Sequence, residues 1–464
     1  MTEKIKTHVV VVGGGPGGYV AAIRSGQLGL DTILVEASRL GGTCLIRGCI
    51  PSKALIHAAG IFQETTEAAE NGRFGIRLDR PPTVDLGETV AWKETVVERL
   101  NAGVSSLLKR ARVKIVEGWA RFSDAKTCLV ETDNGPVRIV AEHVILATGS
   151  VPVELPFLPF GGTVMSSTEA LSLNELPRNL VVVGAGYIGL ELGSAFAKLG
   201  SKVTVVEAQN QILPLYDAKL VEPVRRWLDK HGVTVHLGAK ALGLAEQGLA
   251  IETADEKSIT LPTDKILVTV GRKPLTQGWG LEEMGVAMDG AFVKVDDRCA
   301  TSTNNVWAIG DLVGEPMLAH KASAQGEMVA EIVAGNRRTF APLAIPAVCF
   351  TEPEIVSVGV GPNEVDSGDV IIGQFPFAAN GRALSMDAGD NGSFVRVIAR
   401  KNDHRIIGIQ GVGAHISELS TAFGQAIEMG AVLEDIAGII HAHPTLGEAF
   451  HEASLKALGH AIHA

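Results

Sequence analysis

No apolar run in the 464 residues reaches the roughly 20 positions that a membrane-spanning helix needs. The opening stretch, Met1 to His8, is polar and leads into the short run Val9 to Val12, which is too brief for a secretory core segment and is followed at once by a glycine turn. With no targeting segment in view, the expected location is the cytoplasm. Basic charge is not in excess either: the formal net charge is -11, which argues against nucleic acid or an anionic membrane as the main partner. Cysteine is sparse and odd in number. Cys44, Cys49, Cys128, Cys299 and Cys349 are too few for a secreted disulfide framework in a chain of this length. No Cys-x-x-Cys or His-x-x-x-His pairing is evident, so a structural zinc site lacks its ligands and no metal is expected. There is no low-complexity segment.

What the chain has is an ordinary globular composition, 46% apolar and 20% charged, long enough for about three domains. Its strongest organising signal is an internal repeat. Val9–Ala37 and Leu180–Ala208 each run apolar strand, glycine turn, helical pattern, second apolar strand, acid; Glu36 follows Gly13 by 23 positions, and Glu207 follows Gly184 by 23. That layout is the βαβ dinucleotide unit. Later strands, Val144–Ser150 and Ile266–Arg272, are candidates to close each unit, and the Pro-rich stretch Val151–Phe160 reads as the linker between them. Further on, Asn305–Asp311 reads as a buried strand ending in a Gly-Asp turn, with a helical pattern from about His320 to Ala334. From about Pro342 strands and helices alternate without a third glycine fingerprint, giving candidate strands Phe394–Ile398 and Ile406–Val412 and candidate helices from about Ile416 to Met429 and Gly447 to Leu458. The expected fold class is α/β, with two Rossmann-like dinucleotide-binding domains and a C-terminal α+β domain. The expected boundaries are 1–150, 151–275, 276–342 returning to the first domain, and 343–464.

In the first fingerprint Gly13 permits the tight turn, Gly15 lets the backbone approach a pyrophosphate and Gly18 lets the helix pack close to the strand. The helix N-terminus offers N–H donors to that pyrophosphate, and Glu36 can accept from a ribose diol. The second copy supplies Gly184, Gly186, Tyr187, Ile188 and Gly189, with Glu207 as its acid. A carboxylate there accepts from a 2′-hydroxyl and repels a 2′-phosphate, and positions 208–213 hold no arginine, so NAD is expected rather than NADP.

The segment from Gly41 to Lys53 holds Cys44 and Cys49 five positions apart, near enough to bridge if the loop between them folds back. Pro51 suits a first helical turn, which places Cys49 near a helix N-terminus where the thiolate is favoured below the free value of about 8.5. Redox activity is the favoured reading; buried thiols or half a zinc site are the bland ones. Toward the C-terminus, His443-Pro444-Thr445 with Glu448 offers an imidazole as base for a thiol proton and a carboxylate to fix its tautomer.

The cysteine segment resembles the active site of the flavin-dependent pyridine nucleotide-disulfide oxidoreductases, and among them most the dihydrolipoamide dehydrogenases. The resemblance runs over nearly the whole chain. It implies FAD in the first fold and NAD+/NADH in the second, with Cys49 as the sulfur beside the flavin and Cys44 as the outer sulfur that exchanges with substrate. It implies that Lys53 lies beside the flavin paired with Glu191, and that Asp311 meets the ribityl chain. Thr43, Gly118, Thr148, Gly149 and Ser150 fall among its FAD contacts, as do Met317, Leu318, Ala319 and His320; Gly271 falls at the matching turn of the NAD fold. It further implies a homodimer in which His443, supported by Glu448, reaches the disulfide of the other subunit; His441 carries no such match.

The expected activity is oxidation of protein-bound dihydrolipoamide by NAD+, as the E3 component of 2-oxo acid dehydrogenase or glycine-cleavage complexes. The partner is then the lipoyl domain of an acyltransferase or a glycine-cleavage carrier protein. The alternative is another flavoprotein disulfide reductase, similar to the glutathione or mercuric enzymes; Glu207 opposes the first, and the absence of a vicinal cysteine pair in Leu458–Ala464 opposes the second. A purely structural subunit is disfavoured by the full Cys, Lys, Glu and His set. In one respect the chain departs from the family: Ile46-Arg47 stands where relatives usually carry Asn and a small aliphatic.

Overall fold

The computed structural model describes residues 3–389 and 392–463. A seven-stranded sheet forms its first layer, and the long strand Glu3–Val12 lies inside it between Thr32–Glu36 and Val137–Leu146. Pairing is parallel along this side of the sheet, and antiparallel where Trp119–Phe122, Thr127–Glu131 and Val137–Leu146 meet. Val9 to Val12 are buried on both faces, which is why the run is continuously apolar rather than alternating. The strand extends back through polar residues to Glu3, further than the apolar run alone suggests, because Lys4 to Ala141-paired Thr7 ladder with Val137–Leu146.

The second fold has a five-stranded parallel sheet centred on Asn179–Val183, flanked by Lys202–Val206 and Lys265–Val268. The chain then returns: Val306–Ala308 pairs in parallel with Val144–Leu146 of the first sheet. The Pro-rich linker carries structure of its own, since Ser150–Pro152 pairs antiparallel with Arg272–Pro274. The two candidate closing strands therefore end early, at Leu146 and Val268, and the residues after them pair with each other as a two-stranded ribbon where the two folds join.

The C-terminal region is built on a five-stranded antiparallel sheet that includes Phe394–Arg400 and Ile406–Gly413. The helix anticipated from Ile416 to Met429 is a 3-10 turn, Ile416–Leu419, followed by an α-helix, Ser420–Glu428. The last helix is Glu448–Ala457. Two long helices complete the first fold and pack on each other: Cys49–Asn71, which starts at a redox cysteine, and Leu86–Arg110, capped by the Asp85 carboxylate accepting from the Glu88 N–H.

Candidate active site

The glycines of the two fingerprints divide by what a side chain would meet. A Cβ at Gly13 falls 2.2 Å from the Ala147 carbonyl oxygen, and one at Gly18 falls 1.7 Å from the Gly13 oxygen. These two are demanded by the protein's own packing. Gly15 is different: its φ of -71° suits any residue, and a Cβ there has only the Gly42 Cα at 3.9 Å. Gly184 and Gly189 repeat the first pattern against Thr269 and Gly184 oxygens at 2.7 and 2.2 Å, while Gly186 has nothing within 4 Å. The space kept open beside Gly15, at the N-terminus of the helix Pro16–Gln27, suits a dinucleotide pyrophosphate. The residues present therefore fit FAD.

That space belongs to a cleft of about 600 Å³, a usual size for a ligand site. Gly13, Gly15, Glu36 and Gly118 line it, with Thr43, Thr148, Gly149, Ser150, Asp311, Met317 and Ala319; so do Cys44, Cys49, Lys53 and, from the second fold, Tyr187, Ile188 and Glu191. The other site residues anticipated from sequence do not line it. Gly18 is packed behind the turn, Leu318 caps the helix Ala319–Val333, and the His320 ring bonds to the Pro346 carbonyl at 2.9 Å. Gly184, Gly186, Gly189, Glu207 and Gly271 belong to the second fold and do not line the cleft, and His443 and Glu448 lie in the C-terminal region.

The two acids are held alike. Glu36 accepts from the N–H groups of Gly14 (2.6 Å) and Ser38 (2.9 Å), and Glu207 from those of Ala185 (2.7 Å) and Gln209 (2.8 Å). Each carboxylate is thus fixed at its strand end by backbone donors, with lone pairs left for a diol.

Cys44 and Cys49 come together because the chain makes one short helix, Gly42–Arg47, then bends at Gly48, where a Cβ would sit 2.8 Å from the Thr43 carbonyl oxygen. Gly48 is a functional residue that the sequence reading missed; its place between the cysteines was the available signal. The thiols are unbridged here and hydrogen-bonded to each other. Cys49 begins the helix Cys49–Asn71, and its pKa is lowered to about 7, chiefly by the Cys44 thiol donating to its thiolate, with burial opposing and the Lys53 ammonium helping. The Cys44 pKa is raised by that same hydrogen bond and by burial, so one proton stays on the pair and sits on Cys44. Ile46 packs into the core of the first fold, and Arg47 lines the cleft.

Lys53, one turn along that helix, donates to Glu191 at 2.7 Å. Glu191 is buried, and its other oxygen accepts from the Phe350 N–H at 2.9 Å, while the Lys53 ammonium lies 4.4 Å from the Phe350 ring centre. A second set of bonds joins the folds: Ser150 donates to Asp311 at 2.5 Å and accepts from Arg272 at 2.8 Å. Phe350 and Arg272 act in these contacts with no individual signal in the sequence beyond the motif around Arg272.

In the C-terminal region His443 Nδ1 donates to Glu448 at 2.9 Å, and the second Glu448 oxygen accepts from the Thr445 N–H at 2.8 Å. Burial works against the Glu448 carboxylate, but these hydrogen bonds prevail and its pKa is lowered. The imidazole is open to solvent and the His443-Pro444 bond is cis. Outside these sites, ligand atoms of His8, Glu142 and His143 lie within 4.8 Å of one another, and Lys126, bonded to the Glu142 carbonyl, places a positive charge beside them that disfavours a cation.

Residues 7–326 match the family described as pyridine nucleotide-disulphide oxidoreductase, and residues 345–454 match its dimerisation domain, which supports a homodimer. Over their full lengths the chain is 57% identical to a dihydrolipoyl dehydrogenase of Pseudomonas aeruginosa. It is 45% identical to that of Geobacillus stearothermophilus, over 99% of this chain and 98% of the relative. Among solved structures, LpdA from Mycobacterium tuberculosis superposes with a TM-score of 0.88 at 26% identity, covering 97% of this chain and 99% of that one. The HOCl-induced flavoprotein disulfide reductase RclA from Escherichia coli, in a Cu(II) complex, gives 0.86 at 26% identity, with the same coverage. A thiol pair at a nucleotide-sized cleft, two dinucleotide folds and matches spanning most of the chain lead to one conclusion: this chain belongs to the pyridine nucleotide-disulphide oxidoreductase family.

Proposed function

We propose that the chain oxidises protein-bound dihydrolipoamide to lipoamide with NAD+, as the E3 component of a 2-oxo acid dehydrogenase or glycine-cleavage complex. The observation that carries this reading is the Cys44–Cys49 pair, with Cys49 favoured as thiolate, lining the same cleft as the Lys53–Glu191 pair. We assign FAD to residues 1–150 with 276–342, NAD to 151–275 and the subunit contact to 343–464. Glu207 and its neighbours favour NAD over NADP, which disfavours a glutathione-reductase-like activity. The lipoyl group comes from an acyltransferase domain or a glycine-cleavage carrier protein. No helix among the described residues is long and apolar enough to cross a membrane; we place the enzyme in the cytoplasm, in keeping with its free buried thiols Cys128, Cys299 and Cys349.

In the oxidised enzyme Cys44 and Cys49 are joined. His443 of the partner subunit takes a proton from one substrate thiol, and the thiolate attacks Cys44. The Cys44–Cys49 bond breaks and Cys49 leaves as a thiolate, its negative charge favoured by the Lys53 ammonium and the helix start. The second substrate thiol then displaces Cys44, closing the lipoamide disulfide and leaving both enzyme sulfurs reduced. Glu448 orients the imidazole and stabilises its protonated form. FAD, when bound, supplies the two-electron path by which the reduced pair is reoxidised by NAD+.

The test is turnover of dihydrolipoamide, glutathione and Hg(II), each with NAD and NADP. Fast turnover of dihydrolipoamide with NAD+ alone is expected; preference for glutathione or for NADP would overturn the reading.

A further inference from the structure

Asp311 lines the cleft from the 3-10 turn Gly310–Val313, which follows the strand Val306–Ala308. The main chain of that turn is held by the Gly310 N–H, which donates to the Gln325 side chain at 2.8 Å. The Asp311 carboxylate is held from elsewhere. Among the described residues its hydrogen bond comes from the Ser150 hydroxyl at 2.5 Å, 161 positions earlier in the chain. Ser150 is buried, and the second fold holds it in turn. Arg272 donates from Nε to the Ser150 hydroxyl at 2.8 Å and from Nη2 to the Ser150 carbonyl at 2.7 Å. Burial lowers the Arg272 pKa, and the Asp311 charge is the largest influence opposing it.

A guanidinium can only donate. Arg272 therefore occupies a lone pair of the Ser150 oxygen, and the single hydroxyl proton is left for Asp311. The positive charge also polarises that hydroxyl and strengthens its bond to the carboxylate. The second Asp311 oxygen has no hydrogen bond among the described residues, so it remains an acceptor for a ligand in the cleft. We propose that Arg272 and Ser150 are positioning residues for FAD: a guanidinium of the second fold orders the hydroxyl that holds the Asp311 carboxylate for the ribityl hydroxyls. The proposal rests on the assignment of Asp311 to FAD. It changes the part given to Ser150, whose hydroxyl is spent on Asp311 and Arg272 rather than on the flavin itself. It also makes retention of the flavin by the first fold depend on a side chain of the second. The three groups act in series, so Arg272 has no influence on the flavin once the Ser150 hydroxyl is gone.

FAD affinity is measured on the FAD-loaded homodimer from the rise in free-flavin fluorescence on dilution. Wild type is compared with Asp311→Ala, Ser150→Ala, Arg272→Gln, Arg272→Lys and the double variant Ser150→Ala with Arg272→Gln. Ser150→Ala should weaken FAD about tenfold, the scale of one hydrogen bond to a charged group. Arg272→Gln should weaken it about fivefold, because the hydroxyl survives but loses its orientation. The double variant should match Ser150→Ala within about twofold, whereas independent losses would multiply to about fiftyfold. Arg272→Lys keeps a charged donor for the hydroxyl and should bind FAD within about twofold of wild type. Ser150→Ala removes one oxygen atom, so it reports even if the Arg272 variants fold poorly. Unchanged affinity in Ser150→Ala, losses that multiply in the double variant, or Arg272→Lys as weak as Arg272→Gln overturns the proposal. Wild-type affinity in Asp311→Ala would instead remove Asp311 from the flavin site, and the proposal with it.

Discussion

Three influences meet at the Cys49 sulfur: the Cys44 thiol, the Lys53 ammonium and the start of a 23-residue helix. Against burial, the Cys44 hydrogen bond first and the Lys53 ammonium second lower its pKa to about 7, while that of Cys44 is raised. The reduced protein is therefore expected to show one thiolate per subunit by ultraviolet absorbance, appearing near pH 7, with no second thiolate from this pair up to pH 9. The sign is fixed by the partners: a folded pKa below the thiol's ordinary value means that the thiolate persists at lower pH than in the unfolded chain. Lys53→Met should move this titration upward by about one unit. It should also cost about 2 kcal/mol in denaturant stability, less than a fully buried pair because Lys53 is partly exposed, since Glu191 keeps only the Phe350 N–H. An unchanged titration in Lys53→Met would show that the ammonium does not act on the thiolate. Much at this scale is legible in the sequence, because Cys, Lys, Glu and His announce their chemistry by type and spacing. Phe350 is not: it contributes a backbone N–H and a ring face to a glutamate 159 positions earlier, and a main-chain donor has no letter of its own.

At the scale of elements, the glycines give the sharpest contrast. Gly13→Ala and Gly18→Ala put a methyl into backbone oxygens and should destabilise by more than about 4 kcal/mol. Gly15→Ala and Gly186→Ala meet open space in ordinary backbone and should stay within about 0.5 kcal/mol of wild type. Their cost is expected instead in nucleotide affinity: at least about tenfold weaker for FAD in the first and NAD+ in the second. Calorimetry and flavin-release titration separate the two classes, and normal flavin affinity in Gly15→Ala would remove the pyrophosphate from that turn. The repeat made both βαβ units readable, since their period, turn and acid coincide. What escaped was structure without periodicity. The ribbon of Ser150–Pro152 with Arg272–Pro274 hides in a proline-rich stretch, and its partners lie about 120 residues apart. The strand Ala347–Cys349 is three residues long, and Glu354–Gly359, beside it, takes its other partner from Ile406–Gly413, about 50 residues further on.

For the whole molecule, His443 and the cysteine cleft lie in separate regions of one subunit, and the C-terminal match is to a dimerisation domain. Mixed dimers of Cys49→Ser and His443→Gln subunits test whether the site is shared. Each parent should lose dihydrolipoamide turnover by about a hundredfold or more, yet the mixed dimer contains one site with intact cysteines facing an intact histidine and should regain activity. Mixed dimers as inactive as their parents would place base and thiols in the same subunit. Beneath all of this lies the exchange of electrons between an external dithiol and one pair of sulfurs. The most direct test adds dihydrolipoamide to the oxidised FAD-loaded enzyme without NAD+, quenches with an alkylating agent and maps the labelled cysteines by mass. The account predicts new label on Cys44 and Cys49 alone, reversed when NAD+ is added before the quench; label on Cys128, Cys299 or Cys349, or none at positions 44 and 49, would contradict it.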